Sequence, residues 1–321
     1  MKQVLRMAAP ILCTALLPSA AFAQAYPSKI IKVVIPWPGG SNDAAGRIVF
    51  QRVAESIGQP VVIENRAGAS GTIGAAYVAK SPPDGYTVMV TSASHISNAH
   101  LYKNLPFDAL NDFIGITPLT VQTGILMVHP SLPVKSVKEL IALAKAKPNQ
   151  ILYGSSGSGS YLHLAMAHLN IMTATKMTHV PYKGGDAAGI GLAGGELQAM
   201  VASMPIVRPH LGGNRIRVLA VTSETRMKQL ADTPTLAEAG VPGYEFTAWV
   251  AAFVPAGTPR PIVDKLSAEI KKALDHPDVL AKYDSVAFET LFMTPDQFAV
   301  RLKSDSDKYA KLIAATGAKV D

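Results

Sequence analysis

The histidines, serines and glycines of this chain are the residues that could do chemistry, and their spacing narrows which chemistry that is. His95 with His100 and His163 with His168 stand five residues apart rather than four, so neither pair shares a helix face on which to clamp a metal ion. The serine-rich stretch 154–160 lacks the glycine spacing of a nucleophile elbow, and no Gly-x-x-x-x-Gly-Lys-Ser/Thr phosphate loop occurs. A dinucleotide fingerprint at Gly39-Gly40-Ser41-Asn42-Asp43 would need a later glycine that is missing. Cys13 is the only cysteine and lies in an apolar N-terminal run, so the rest of the chain offers no disulfide and no thiolate ligand. No catalytic residue, metal site or cofactor is expected.

What remains is a set of Gly- and Ser-rich loops, each following an extended segment and leading into a helical one. Such loops present unpaired backbone amides at the positive end of a helix dipole, which suits a carboxylate or phosphate without a catalytic side chain. They span 38–43, 92–97, 155–160 and 184–188. Their candidate contacts are Gly39, Gly40, Ser41, Asp43, Ser92, Ser94, Ser155, Ser156, Gly157, Ser158, Gly184 and Asp186, with Tyr161 opening the helix after the third loop. Ordinary turn chemistry accounts for any one of these loops; four of them, divided between two halves of the chain, point to a shared site. Asp43 sits just inside a helix start, where stabilising the dipole is its expected role. Lys183 reads either as a carboxylate partner or as a solvated turn lysine, and His95 either as an anion donor or as a solvated loop histidine. Arg208 follows the Met204-Pro205 turn, and its direction is open.

Holding these loops requires alternating strands and helices. Extended β-branched or apolar runs occur at 29–35, 61–64, 86–91, 125–128, 152–153, 179–182, 197–202, 217–222 and 245–254. Helical patterns follow many of them: one capped by Asn42 or Asp43, then 68–80, one from Ser136 (with Glu139 three residues on) to Lys147, 161–172, and finally 260–274 and 294–315. This is βαβ grammar, and the fold class expected is α/β with a mostly parallel sheet flanked by helices in each of two lobes. With 48% apolar and 17% charged residues over 321 positions, the chain has the apolar content for two cores and too little charge for disorder. No Gly/Ser spacer separates the halves, so the chain is expected to cross between lobes on extended segments, with a cleft between them.

Residues 1–23 read as a cleaved leader: Lys2 and Arg6, an apolar run over 7–17, and Ala21-Phe22-Ala23 before the expected cleavage site. That run is too short to span a bilayer, and a leader on an otherwise cysteine-free chain points to the bacterial periplasm. The formal net charge of +7 is scattered, with no basic stripe for nucleic acid, and favours attraction of small anions.

The segments YPSKIIKVVIPWPGGSND, GQPVVIENRAGASGTIGA, PPDGYTVMV, HPSLPVKSVKELIALAKAKP, YGSSGSGS, VPYKGG, LAVTSETR, PTLAEAGVPGY and PAGTPRPIVDKL, in this order from Tyr26 onward, resemble the Bug-type (TctC-like) solute-binding proteins of tripartite tricarboxylate transporters. The resemblance implies a Venus-flytrap architecture with no enzymatic activity. Residues 24–123 with 247–321 would form one lobe and 124–246 the other. A small organic acid would be bound through loop amides, hydroxyls and ordered water, and integral membrane transporter subunits would be the partners of a monomeric protein. Two departures from the family pattern stand out. The loop at Pro36-Trp37-Pro38-Gly39-Gly40 is one residue shorter than usual, with Trp37 in place of phenylalanine, and Ala202-Ser203-Met204-Pro205 lacks an acid that many relatives carry there. Ser203 joins the candidate contacts, as do Trp37 and Trp249, which fall where the resemblance puts the cleft. Their flat apolar surface, and the missing acid, favour a dicarboxylate or aromatic acid over an amino acid, whose ammonium would have no clear counter-ion other than Asp43 or Asp186. A sensor subunit presenting its ligand to a membrane receptor, and a secreted α/β hydrolase, are the alternative readings.

Overall fold

The computed structural model describes residues 26–37 and 39–317; the leader assigned to residues 1–23, and Pro38, lie outside them. The first lobe begins with strands β1 (Ile31–Ile35), β2 (Val61–Asn65), β3 (Thr87–Ser92) and β4 (Phe113–Thr123). A second sheet then forms from β5 (Ile125–Val128), β6 (Leu152–Ser155), β7 (Thr178–Pro181), β8 (Ala199–Ala202) and β9 (Arg217–Val221), before β10 (Thr247–Pro255) and β11 (Glu289–Thr290) return to the first. The sheet orders are β11-β4-β10-β3-β1-β2 and β7-β6-β8-β5-β9. Helices α1 (Gly40–Ile57), α2 (Thr72–Ala79) and α3 (Ser94–Leu101) cover the first sheet. The second carries α4 (Val137–Ala146), α5 (Tyr161–Thr173), α6 (Gly185–Ala193) and the short α7 (Met204–Val207), and α8 (Arg260–Leu274), α9 (Pro277–Ser285) and α10 (Pro295–Thr316) end the chain.

The sequence patterns explain much of this. The IKVVI run of β1 is buried because helices cover both faces of its sheet. In α8, Val263, Leu266 and Ile270 recur at helical spacing and form the buried stripe. Ser136 accepts from the Glu139 amide to start α4, and Thr294 with Gln297 forms a full capping box for α10. Helix α1 departs from expectation. It starts at Gly40 with Gly39 as N-cap and no side-chain cap, so neither Asn42 nor Asp43 caps it, and both lie in its first turn.

The sheets are mixed rather than mostly parallel. β1 is parallel to β2 and β3, but β10 runs antiparallel to both β3 and β4; in the second sheet β6 is parallel to β7 and β8, while β5 is antiparallel to β8 and β9. The cause is the passage between lobes, since β4 leaves the first sheet and β10 comes back beside it in the opposite direction. β4 is also absent from the sequence reading, because Gly115 and Pro118 break its FIGITPLTVQT run. Pro118 is accommodated where the register with β10 shifts, between Val250 and Ala251.

At the passage, Gly124 and Phe246 are tied through one residue. The Gly124 amide donates to Thr222 Oγ1 (2.8 Å), the Thr222 amide donates to the Gly124 carbonyl (2.8 Å) and the Phe246 amide donates to the Thr222 carbonyl (2.9 Å). Tyr161 adds its hydroxyl, 3.1 Å from both Thr222 Oγ1 and the Phe246 carbonyl. Helix α10 braces the same region from the first lobe, with Lys308 Nζ donating to the Glu245 carbonyl (2.9 Å) and pairing with its carboxylate (3.1 Å).

A methyl group on Gly124 would meet Val201 Cγ1 at 2.5 Å, the Tyr161 hydroxyl at 2.8 Å and Thr222 Oγ1 at 2.9 Å. Gly124→Ala should therefore destabilise by about 1–3 kcal/mol through overpacking, a fall in Tm of several degrees by calorimetry. Gly212→Ala, a site with nothing within 4 Å, should leave Tm unchanged.

Candidate functional site

A cavity of about 430 Å³ opens between the two sheets at the carboxyl ends of their strands, the place where open α/β sheets hold ligands. After β1 it takes Trp37 and Gly39 to Asn42, after β3 Ser92 and Ser94, and at the end of β4 Gln122. The second lobe supplies Ser156, Ser160 and Tyr161 after β6, Lys183 to Asp186 after β7, and Ser203 after β8. Hydroxyls and main chain dominate, with Trp37, Leu162 and Ile206 as apolar wall, and Lys183 and Asp186 are the charged residues on it.

Two of the helices that start at the cavity, α1 and α6, have glycine N-caps with no side-chain bond to their first amides. Gly39 (φ 72°), Gly40 (φ 67°) and Gly184 (φ 119°) adopt backbone that other residues rarely take, and this turns the chain sharply from strand into helix. The free amides and dipole ends so exposed are acceptors' partners in waiting, a ready anion cradle. Asp43 does not line the cavity. Burial works against its charge, but hydrogen bonds from Arg47 Nε (2.9 Å) and Asn65 Nδ2 (2.8 Å) hold its carboxyl below the usual range, consistent with a role in the first turn of α1.

The serine loop divides between two faces. Ser156 and Ser160 face the cavity, whereas Ser155 is buried, donating to the Gly157 carbonyl (3.0 Å) and accepting from the Gly157 amide (3.1 Å) and His179 Nε2 (2.6 Å). Gly157 does not reach the cavity, and Ser158 lines a separate hollow with Tyr153, His163 and His179. The turn at Gly157 (φ 123°) and Gly159 (φ 73°) produces this alternation. Tyr161 contributes its ring as wall while its hydroxyl belongs to the Thr222 tie.

Trp249 is the clearest correction. It is 1% exposed and its indole nitrogen donates to Asp305 Oδ2 (2.8 Å) under α10, with Phe298 edge-on at 5.1 Å. Strand alternation places Trp249 with Ala251 and Phe253 on the face turned to α10, away from the cavity. His95 is neither an anion donor nor solvated: it is buried against Phe107, Phe113 and Phe253 in α3, a helix the sequence reading left as loop. Arg208 donates across the lobes to the Ser285 carbonyl at the end of α9. Trp37 is half-buried beside the cavity, its indole against Gly71, where a Cβ would meet Nε1 at 3.0 Å. Ser70, Gln122, Leu162 and Ile206 were not singled out from sequence; Gln122 and Ser70 sit in a strand and a turn that only tertiary packing turns toward the cavity.

A family model for the tripartite tricarboxylate transporter family receptor matches residues 45–318. The chain belongs to this family. Among relatives of this receptor family, an uncharacterised-family (UPF0065) protein from the tcbD-tcbE intergenic region of Pseudomonas sp. is 36% identical over 292 residues, covering 90% of this chain and 87% of that protein. BugT of Bordetella pertussis is 31% identical over 323 residues, covering 100% and 99%. Among solved structures, an R. palustris protein with adipate superposes with TM-score 0.83 at 34% identity, covering 92% of this chain and 100% of that one. MatC from Rhodopseudomonas palustris with bound malate gives 0.78 at 28%, covering 90% and 100%. The periplasmic binding protein BugD superposes with TM-score 0.79 at 28% identity, covering 92% of this chain and 99% of that one.

The serine loop is anchored by two stacked histidines whose ring centroids lie 3.9 Å apart. Burial, with His179 adding charge repulsion, pushes His163 down to about 3, and burial pushes His179 down to about 4. His163 Nδ1 must be unprotonated to accept from the Gly159 amide (3.0 Å). Both folded pKa values lie below the unfolded value near 6.5, so the stability they confer is complete above pH 6.5 and declines as pH falls toward 4. Melting curves between pH 7.5 and 4.5 should show that decline, with a shallower slope in the double variant His163→Asn/His179→Asn.

Proposed function

We propose that this receptor captures a small dicarboxylate between its lobes in the periplasm and delivers it to a tripartite membrane transporter. The observation that carries the reading is the convergence of two glycine-led, uncapped helix starts, one from each lobe, on a cavity walled by serine hydroxyls. One carboxylate is held by the amides of α1 or α6, where the dipole and free N–H groups favour negative charge. The second is paired by Lys183, the cation on the wall. Trp37, Leu162 and Ile206 take the carbon chain or ring between them. An α-amino acid is disfavoured, because Asp43 is already bonded to Arg47 and Asn65 and leaves Asp186 as the acid at hand for an ammonium. The adipate- and malate-bound neighbours support a dicarboxylate of this size. Delivery to membrane subunits rests on the family to which the chain belongs.

Titration calorimetry against adipate, malate, terephthalate and glutamate tests the reading. At least one of the first three should bind tightly and glutamate weakly, and tight binding of glutamate alone would overturn it. Lys183→Ala should weaken the bound dicarboxylate about tenfold while changing a monocarboxylate of equal length much less, the loss expected for one partly solvated charge pair. Trp37→Ala should also weaken binding, whereas Trp249→Phe should act on Tm and leave affinity alone.

A further inference from the structure

Two polar contacts that lie away from the passage join the lobes, and both end on a main-chain carbonyl. From the first lobe, the Ser97 hydroxyl in α3 donates to the carbonyl of Gly159 in the serine loop (3.0 Å). From the second, Arg208 donates to the carbonyl of Ser285, the last residue of α9. Among the described residues no other donor reaches either carbonyl. At the first contact the lobes are tightly apposed: a methyl group on Gly159 (φ 73°) would collide with the side chain of Leu101, one turn beyond Ser97 in α3.

Neither pair lines the cleft, yet both stand directly behind it. Ser97 lies one turn along α3 from Ser94, Gly159 precedes Ser160, and Arg208 follows Ile206 by two residues, and Ser94, Ser160 and Ile206 are all cleft wall. The two contacts also fall on opposite faces of the first sheet. Along β10, Trp249, Ala251 and Phe253 pack on the side of Ile96 and Leu101 of α3, while Val250, Ala252 and Val254 pack on the side of Val279 and Tyr283 of α9. The lobes are therefore tied on both sides of the sheet.

Both bonds are of a kind that releases cheaply. Ser97 has one hydroxyl proton and two carbonyls within reach, that of Ser94 in its own helix (2.9 Å) and that of Gly159 across the gap. If the lobes part, Ser97 keeps a partner in α3 and the Gly159 carbonyl passes to water. The Ser285 carbonyl is among those that α9 leaves unpaired at its C-terminus, where the dipole favours a guanidinium and water is an adequate substitute. Exchanging such bonds for water costs far less than stranding a buried polar group, so they bias closure without fixing it.

We propose that Ser97 and Arg208 are positioning residues for ligand capture: they touch no ligand, hold the lobes in the closed arrangement, and so set affinity through the population of the binding-competent state. This rests on the carboxylate reading only in taking the cleft as the binding site.

Small-angle scattering and stopped-flow release of adipate test the proposal. Without ligand, Ser97→Ala/Arg208→Ala should have a larger radius of gyration than the wild type and an unchanged Tm, because the contacts fasten lobes that are already folded. It should release adipate about tenfold faster, with the association rate changed much less. Arg208→Lys, which keeps a cationic donor, should fall between the wild type and Arg208→Ala in both measurements. Coincident scattering curves for the wild type and the double variant would overturn the proposal, as would a fall in its Tm of several degrees or an unchanged rate of adipate release. If adipate does not bind the wild type, the failure belongs to the carboxylate reading for that probe, and the ligand-free scattering decides the role of Ser97 and Arg208 by itself.

Discussion

Thr222 connects the two passages of the chain between lobes, and the geometry of the cleft depends on that connection. A site made from loops on two separate sheets is useful only if the sheets meet at a set distance and angle. Here the backbone and hydroxyl of Thr222 bond Gly124 on the way out and Phe246 on the way back, and Tyr161 closes the group from the start of α5. All of these polar atoms are buried, where an unpaired one costs more than a hydrogen bond contributes, so the arrangement tolerates little variation. Tyr161 also lines the cavity, which places the wall of the site and the joint between lobes on one side chain.

The cleft draws on helix starts whose first amides have no side-chain cap. α5, which starts at the cavity, is capped by Ser160 accepting from the His163 amide, whereas α1 and α6 start there uncapped. Free amides there await water or an anion, and glycines at the caps keep side chains from filling the space. The serine loop follows the same division on a smaller scale. Ser155 is tied down by Gly157 and His179 so that Ser156 and Ser160 can face outward with their hydroxyls placed.

The buried histidines are kept neutral to serve as fixed acceptors and donors rather than as charges. His163 accepts from Gly159 and His179 supports Ser155, both in service of the loop. His95 is likewise held neutral by burial, among the rings of Phe107, Phe113 and Phe253.

From sequence alone, the alternation of β-branched runs and amphipathic helices determined the α/β class, the two lobes and most element positions, because these are period-2 and period-3.6 patterns written in neighbouring residues. The same local chemistry marked the glycine and serine loops, and the residues that line the cleft come largely from them. Tertiary structure alone decided which side of each loop faces the ligand. Trp249 and Trp37 both follow or lie within strand-like runs, yet one is buried beneath α10 and the other borders the cavity, because the register of β10 against β4 sets which face of the strand meets the core. β4 itself was hidden by Gly115 and Pro118, whose local preference for a turn is overridden by pairing with β10, a contact between residues more than a hundred positions apart. Position within a turn or strand is local information; the direction in which a side chain points across a lobe is set by partners distant in sequence, and only the folded chain brings those partners together.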